Sequence, residues 1–278
     1  MNKHPLHPIT AENRAAYERD GVVCLRGMFD TEWIERMRAA AERVIADPGR
    51  YGLLGPSQDA TMTSVCYLWR KDPEFRDYVF NSPAAEITGR VIGSSQIWMY
   101  HDHLFHKAPQ SPRKMVWHID ATAWPVIGEM APNIWVALTD VDDGNGRVEF
   151  VAGLHRRLVD NGVQYGFRPD QGSGPCPDFE KERNNPEYNF VTWDLAAGDC
   201  VVFHPYTPHF SKGNASIDRP RIGLALRLFG DDVVWDPRVY KAMVPGVDRS
   251  AMVRGRHPEG EMFPVLWRDP DTTTRSAA

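Results

Sequence analysis

The sequence predicts a mainly β fold with flanking helices, an antiparallel sandwich or barrel, and three observations predict it. The first 94 residues carry helical periods around one short strand. From Ser95 the texture changes to short aromatic and β-branched runs punctuated by Pro and Gly, at 95–107, 115–120, 133–139, 147–152, 200–204 and 221–229. No helical period separates these runs, as a parallel α/β sheet would require. A chain of 278 residues with 42% hydrophobic and 11% aromatic content fills one large all-β domain.

In chain order, Thr10 caps a helix that runs to Asp20 and is closed by Gly21, and residues 22–25 form a short buried strand. Asp30 or Thr31 caps a second helix. Its apolar positions Trp33, Ile34, Met37, Ala40, Ala41 and Val44 keep a helical period up to Pro48-Gly49. Residues 51–70 have no clear period and read as a loop over one mouth of the fold. Helices follow at 73–80 and 83–92, the last ended by Gly93. Asp142-Asp143-Gly144-Asn145-Gly146 marks a turn between two strands. Residues 160–190, rich in Gly and Pro among many charges, read as a surface lid over the site. The domain plan is therefore a single unit over 1–278: a helical part at 1–94, a β core at 95–230 with its lid, and a C-terminal extension at 231–278. That extension reads as irregular and is expected to pack through Val233, Val234 and Trp235, with a tail from Thr272 to Ala278 that is expected to be disordered.

A net charge of −5 and an isoelectric point near 6.1 give no electrostatic case for nucleic acid or an anionic membrane. No apolar run approaches the roughly 20 residues of a bilayer span, and the first residues lack a signal-peptide core. The expected partner is a small molecule, the expected compartment the cytoplasm, and the expected state a monomer or homodimer. Cys24, Cys66, Cys176 and Cys200 are widely spaced with no Cys-x-x-Cys, so free thiols are expected rather than a zinc site or a disulfide framework.

The candidate chemistry lies in Trp117-His118-Ile119-Asp120. In an extended run His118 and Asp120 face one way, while Trp117 and Ile119 face the other. An imidazole and a carboxylate then aim at one spot. A second imidazole from a distant strand, His204 or His209, would complete two nitrogens and one oxygen on one face of a metal. That set suits Fe(II) and leaves the opposite face open. With ten His and 23 Asp in the chain, chance alone supplies close to one His-x-Asp triplet, so context carries the weight. The triplet ends an apolar β-prone run, the distal histidines close another, and Arg219 and Arg221 follow. Arg221 opens the apolar strand 221–229, whereas Arg219 precedes Pro220 in a turn. His101, His103 and His106 could suggest a second metal, yet alternation puts His106 on the opposite face from the other two. They read better as satisfied or solvated histidines, as does His155 beside Gly153.

Four ordered blocks together resemble the phytanoyl-CoA dioxygenase family of Fe(II)- and 2-oxoglutarate-dependent oxygenases. They are 17–23 with Arg26-Gly27; 117–120; 145–155; and 198–209 continuing through Ser211, Asn214, Ser216 and Arg219-Pro220-Arg221. The resemblance covers most of the chain. It implies a double-stranded β-helix, the cupin-like jelly roll, using Fe(II), 2-oxoglutarate and O2. It also implies that His118, Asp120 and His209 bind iron and that Arg221 anchors the distal carboxylate of 2-oxoglutarate, with Arg219 the alternative because the spacing from His209 is one longer than the family pattern. A guanidinium offers a two-pronged donor that a lysine does not reproduce. Trp135, Ser211 and Lys107 match positions around the co-substrate. Trp98, Tyr100, Phe105 and Trp124, with the lid, are candidates to line the substrate pocket.

The expected activity is oxidation of an unactivated C–H bond of a small metabolite, with release of succinate and CO2. Halogenating relatives replace the carboxylate of the metal motif by a small residue; Asp120 therefore favours hydroxylation, desaturation or ring formation. Two rival readings are a zinc- or manganese-dependent hydrolase or isomerase on a jelly roll and a non-catalytic metal protein.

Overall fold

The computed structural model describes residues 1–52, 61–160, 177–237 and 244–271, the side chains of 158–160 excepted. Helix α1 (Ala11–Asp20) begins with a reciprocal cap: Asn13 N donates to Thr10 Oγ1, and Thr10 N donates to Asn13 Oδ1. It ends at Gly21, whose φ of 70° lies in the left-handed region. A Cβ there would stand 2.4 Å from His155 Nδ1, so both conformation and space require glycine. β1 (Val22–Leu25) follows, then α2 (Thr31–Ala46), capped by Asp30 and burying the six apolar residues its period picks out. α3 (Pro73–Asn81) and α4 (Ala84–Ile92) complete the helical part.

Between α2 and α3 the expectation of a loop over 51–70 is corrected. Residues 53–60 lie outside the described residues, but β2 (Met62–Cys66) is a strand paired antiparallel with β3 (Gln96–Lys107). Its five residues, Met-Thr-Ser-Val-Cys, are buried or nearly so on both faces and show no alternation to read.

The remaining strands are β4 (Met115–His118), β5 (Val126–Ile127), β6 (Asn133–Ala137), β7 (Val148–Ala152), β8 (Asn189–Thr192), β9 (Cys200–Phe203), β10 (His209–Ser211), β11 (Arg221–Phe229), β12 (Val234–Trp235) and β13 (Val265–Arg268); a helix α5 (Leu154–Asp160) follows β7. They form a major sheet in the order β1-β9-β6-β11-β3-β13, with β2 also on β3, and a minor sheet in the order β4-β10-β7-β8. A β12-β5 pair stands apart. All pairings are antiparallel, the arrangement of a jelly roll flanked by helices. The C-terminal extension is less irregular than expected, since β13 joins the edge of the major sheet beside β3. The tail from 272 lies outside the described residues.

Alternation sorts the core. One face of the major sheet, with Val23, Leu25, Ile134, Val136, Val202, Leu224 and Leu226, packs on α1–α4. The other face turns Trp135, Ala137, Val201, Phe203 and Ala225 toward Phe150 of the minor sheet. Beyond the minor sheet, Trp117 and Phe210 meet Phe179, and Trp117 Nε1 donates to Glu180 Oε1 at 3.0 Å. Of the expected lid, residues 161–176 lie outside the described residues; the stretch 177–190 packs on that outer face. Cys24, Cys66 and Cys200 are free thiols, and no helix among the described residues is long and apolar enough to cross a membrane.

Candidate metal centre

β10 lies beside β4 in a register that sets His209 directly opposite His118, with ring centroids 4.1 Å apart. Asp120 lies two residues past the end of β4. Ile119 is still extended, and Asp120 opens a 3-10 turn over Asp120–Ala123 rather than continuing the strand. Its carboxylate nevertheless faces both imidazoles: Oδ1 is 3.6 Å from His118 Nε2, and Oδ2 is 3.9 Å from His209 Nε2. The three donor atoms lie within 4.8 Å of one another, and all three residues are buried.

Local hydrogen bonds choose the donor atoms. His118 Nδ1 is 2.7 Å from the carbonyl of Val116, and His209 Nδ1 is 3.1 Å from that of Thr207. A carbonyl only accepts, so each Nδ1 carries a proton, and each Nε2 is the ring nitrogen turned toward Asp120. Burial, then the neighbouring His118, pushes His209 down to about 3, so it stays neutral at physiological pH. Burial alone would raise Asp120; the Arg227 guanidinium and the two histidines outweigh it and hold the carboxyl well below its usual range. Asn133 Nδ2 donates to Asp120 Oδ2 at 2.9 Å, and Arg227 Nη2 stands 3.6 Å from Oδ1. Two imidazole nitrogens and one oriented carboxylate are the donor set of a divalent transition metal.

His204 is not part of this face. It is buried, its Nδ1 accepts from Tyr206 N at 3.2 Å, and its ring lies 4.9 Å from that of His155.

On the major sheet, Arg221 and Lys107 are direct partners across β11 and β3. Arg221 is buried, and its guanidinium lies 4.6 Å from the Trp135 ring centre. Gly223 makes room for that indole, because a Cβ there would meet Trp135 Cζ2 at 1.8 Å. Among the described residues Arg221 has no carboxylate partner, and its Nε is buried without a hydrogen bond. Burial lowers it to about 10. Lys107 Nζ donates to Ser211 Oγ at 2.8 Å and to the Lys212 carbonyl at 2.5 Å. Burial, then Arg221, pushes Lys107 down to about 6. Arg219 is exposed and holds both oxygens of Asp142, at 2.7 and 3.2 Å.

The remaining candidates separate. Phe105 stacks on His103 with centroids 3.8 Å apart, on the face that carries Arg227. Tyr100 and Trp124 meet edge to face at 5.4 Å within a distinct aromatic cluster that includes Phe229 and Trp235. Trp98 leans on His257, with ring centres 4.2 Å apart. Cys66, His101 and His103 also converge. Both nitrogens of His103 are engaged, by Ser64 and by Arg227, and burial raises the Cys66 thiol to about 12, so this trio offers a cation little. Asn133 and Arg227 escaped the sequence reading. The signal was available: an arginine six residues after Arg221 in one unbroken apolar strand must share its face.

Among curated proteins, the chain is 24% identical over 159 residues to an ectoine dioxygenase of Sphingopyxis alaskensis, covering 55% of this chain and 52% of that relative, so it spans about half of that relative's length. It is 25% identical over 231 residues to an ectoine dioxygenase of Bordetella bronchiseptica, covering 75% and 71%. Among solved structures, the non-heme alpha ketoglutarate dependent carbocyclase SnoK from nogalamycin biosynthesis superposes with a TM-score of 0.76 at 25% identity, over 96% of this chain and all of that one. The epimerase SnoN in complex with Fe3+, alpha ketoglutarate and nogalamycin RO shares the fold at a TM-score of 0.72 and 23% identity, over 92% and 98%. Residues 17–223 match the family described as Phytanoyl-CoA dioxygenase (PhyH). That match runs from α1 into β11 and encloses the whole His118–Asp120–His209 face: the chain belongs to the phytanoyl-CoA dioxygenase (PhyH) family.

Proposed function

We propose that this protein is a non-haem Fe(II)- and 2-oxoglutarate-dependent dioxygenase that hydroxylates, or otherwise oxidises, an unactivated C–H bond of a small-molecule metabolite. One observation carries the reading. A two-histidine, one-carboxylate face is joined to Arg221 through the strand of His209: Ser211 on β10 binds Lys107, the cross-strand partner of Arg221, a buried guanidinium that has no anion of its own among the described residues. A buried cation without a counter-ion is costly, so the wall is built to receive a carboxylate. A hydrolase would have no use for that cation.

His118, Asp120 and His209 would hold the iron, offering Nε2, a carboxylate oxygen and Nε2. Arg221 takes the distal carboxylate of 2-oxoglutarate through its planar fork, with Trp135 stacked on the guanidinium to fix its plane. Ser211 and Lys107, next to Arg221, would offer that carboxylate a hydroxyl and an amine. Bound Fe(II) with 2-oxoglutarate supplies the oxidising chemistry, consuming O2 and releasing succinate and CO2. The chain contributes orientation and a dry chamber, in which buried Trp135, Phe150 and Phe203 exclude water.

Asp120 fills the ligand position that a halide would need, which favours hydroxylation or a related oxidation over halogenation. The structural neighbours include a carbocyclase and an epimerase, so the same core supports several outcomes, set by which substrate bond faces the metal. Phe105, Tyr100, Trp124 and Trp98 are the aromatic candidates on the substrate side.

The test is an anaerobic titration of the apoprotein with Fe(II) and 2-oxoglutarate. The weak visible charge-transfer band of the chelate is expected, followed by succinate formation when air is admitted. A zinc or manganese hydrolase, or a non-catalytic metal protein, gives neither, and their absence rejects the proposal.

A further inference from the structure

Three adjacent strands put Asn133, Arg227 and His101 in one row across the inner face of the major sheet, since Arg227 pairs with Asn133 on one side and His101 on the other. All three are buried. Each holds a polar atom with no hydrogen-bond partner among the described residues: Asn133 Oδ1, Arg227 Nε and His101 Nδ1. Buried polar atoms are nearly always satisfied, so a row of three beside a metal face is a site prepared for a polar ligand.

Arg227 is the charged member, and its bonding is one-sided. Nη1 donates to His103 Nδ1 at 3.0 Å. An arginine only donates, so His103 Nδ1 accepts, and the His103 proton sits on Nε2, where it is given to Ser64 Oγ at 2.6 Å. His103 is thereby fixed as a neutral tautomer, and one edge of the guanidinium is anchored. The other edge, Nε with Nη2, makes no hydrogen bond; its nearest carboxylate oxygen, Asp120 Oδ1, lies 3.6 Å from Nη2, beyond hydrogen-bonding length. That edge is the side-on fork by which guanidinium takes a carboxylate.

Charge points the same way. With Fe(II) and the 2-oxoglutarate dianion in place, the cations are the metal, Arg221 and Arg227, and the anions are Asp120 and the co-substrate. The chamber is left with net positive charge whichever form Lys107 takes. An excess cation in a dry cavity is unfavourable until an anion joins it.

We infer that Arg227, flanked by Asn133 and His101, is the substrate-recognition subsite, and that the substrate is a small molecule presenting a carboxylate to the Nε/Nη2 edge beside the metal. This rests on the function proposed above.

The test uses the full chain with Fe(II) and saturating 2-oxoglutarate under anaerobic conditions, so that the Arg221 site is filled. Benzoate, indole-3-acetate and octanoate, each matched with its primary amide, are titrated by calorimetry and by their perturbation of the charge-transfer band. At least one acid is expected to bind while its amide binds at least tenfold more weakly. Arg227→Gln is expected to abolish that preference while keeping Fe(II) and 2-oxoglutarate affinities within about threefold, and Arg227→Lys to restore it in part. The inference is overturned if no acid is preferred, or if the preference survives Arg227→Gln. It is equally overturned if either variant loses Fe(II) affinity instead, which would make Arg227 a positioning residue for Asp120. If the wild-type protein forms no Fe(II)–2-oxoglutarate band, the function reading itself has failed.

Discussion

His118 and His209 face each other across the β4–β10 pair, each with Nδ1 committed to a backbone carbonyl and Nε2 turned toward Asp120. Strand register, not a flexible side chain, therefore sets the distance between the two nitrogen donors. His118→Ala or His209→Ala should weaken Co(II) or Fe(II) binding at least 100-fold, read by calorimetry or by Co(II) absorption. His204→Ala, in a separate buried cluster, should leave metal affinity within about twofold. Because metal binds only the folded chain, adding Fe(II) at about 100 times its Kd should raise stability by about 2.7 kcal/mol, and chelation should remove it.

Arg221 and Arg219 differ in their company, and that difference is measurable. Arg221→Met should raise the Kd for 2-oxoglutarate at least tenfold while Co(II) still binds, because Arg221 is not among the three donor residues. Arg219→Ala should change that Kd less than twofold, since Arg219 spends its fork on Asp142 at the surface. The reverse result would move the anchor to residue 219.

The sequence exposed those parts of the fold that repeat. The helices at 11–46 and 73–92 and the strands at 22–25 and 221–229 could be read because one face is apolar with a fixed period. β2 and β10 could not: five residues buried on both faces and three residues carrying His209 are too short or too uniform to show alternation. The motif 117–120 located two metal-binding candidates. Choosing His209 over His204 took the family resemblance, and seeing why took the β4–β10 register. Even spacing from Arg221 puts Arg227 on the inner face of its strand, but no local pattern announces that it, or Asn133 on β6, reaches Asp120.

Lys107 makes stability sensitive to pH. Its folded pKa is pushed down to about 6 from an unfolded value near 10.4, so between those values the unfolded chain binds the extra proton. Stability should therefore rise with pH across that window, by at most about 1.4 kcal/mol per unit, and fall as pH drops toward 6. Lys107→Met should flatten this slope in urea melts taken from pH 6 to 9. If a bound dicarboxylate lies beside the amine, it restores the charged form. Binding of 2-oxoglutarate at pH 8 should then take up close to one proton, seen as a buffer-dependent calorimetric enthalpy that Lys107→Met lacks.

Gly223 offers a probe that touches neither metal nor co-substrate directly. It sits opposite Phe105 on β3 and Ala137 on β6, and the Trp135 indole crosses its missing side chain to reach Arg221. An added Cβ would overlap the ring at Cζ2 and Cε2, by far the tightest approach among the described glycines. Gly223→Ala must therefore displace the indole, and overpacking of this kind costs about 1–3 kcal/mol. The displaced ring no longer fixes the guanidinium plane. The variant should consequently lose both thermal stability and 2-oxoglutarate affinity, the latter by about three- to tenfold, while Co(II) affinity stays unchanged. Adding Trp135→Phe, which shortens the ring, should recover stability without recovering affinity. If the double variant regains both, the indole is only filling space and does not orient Arg221.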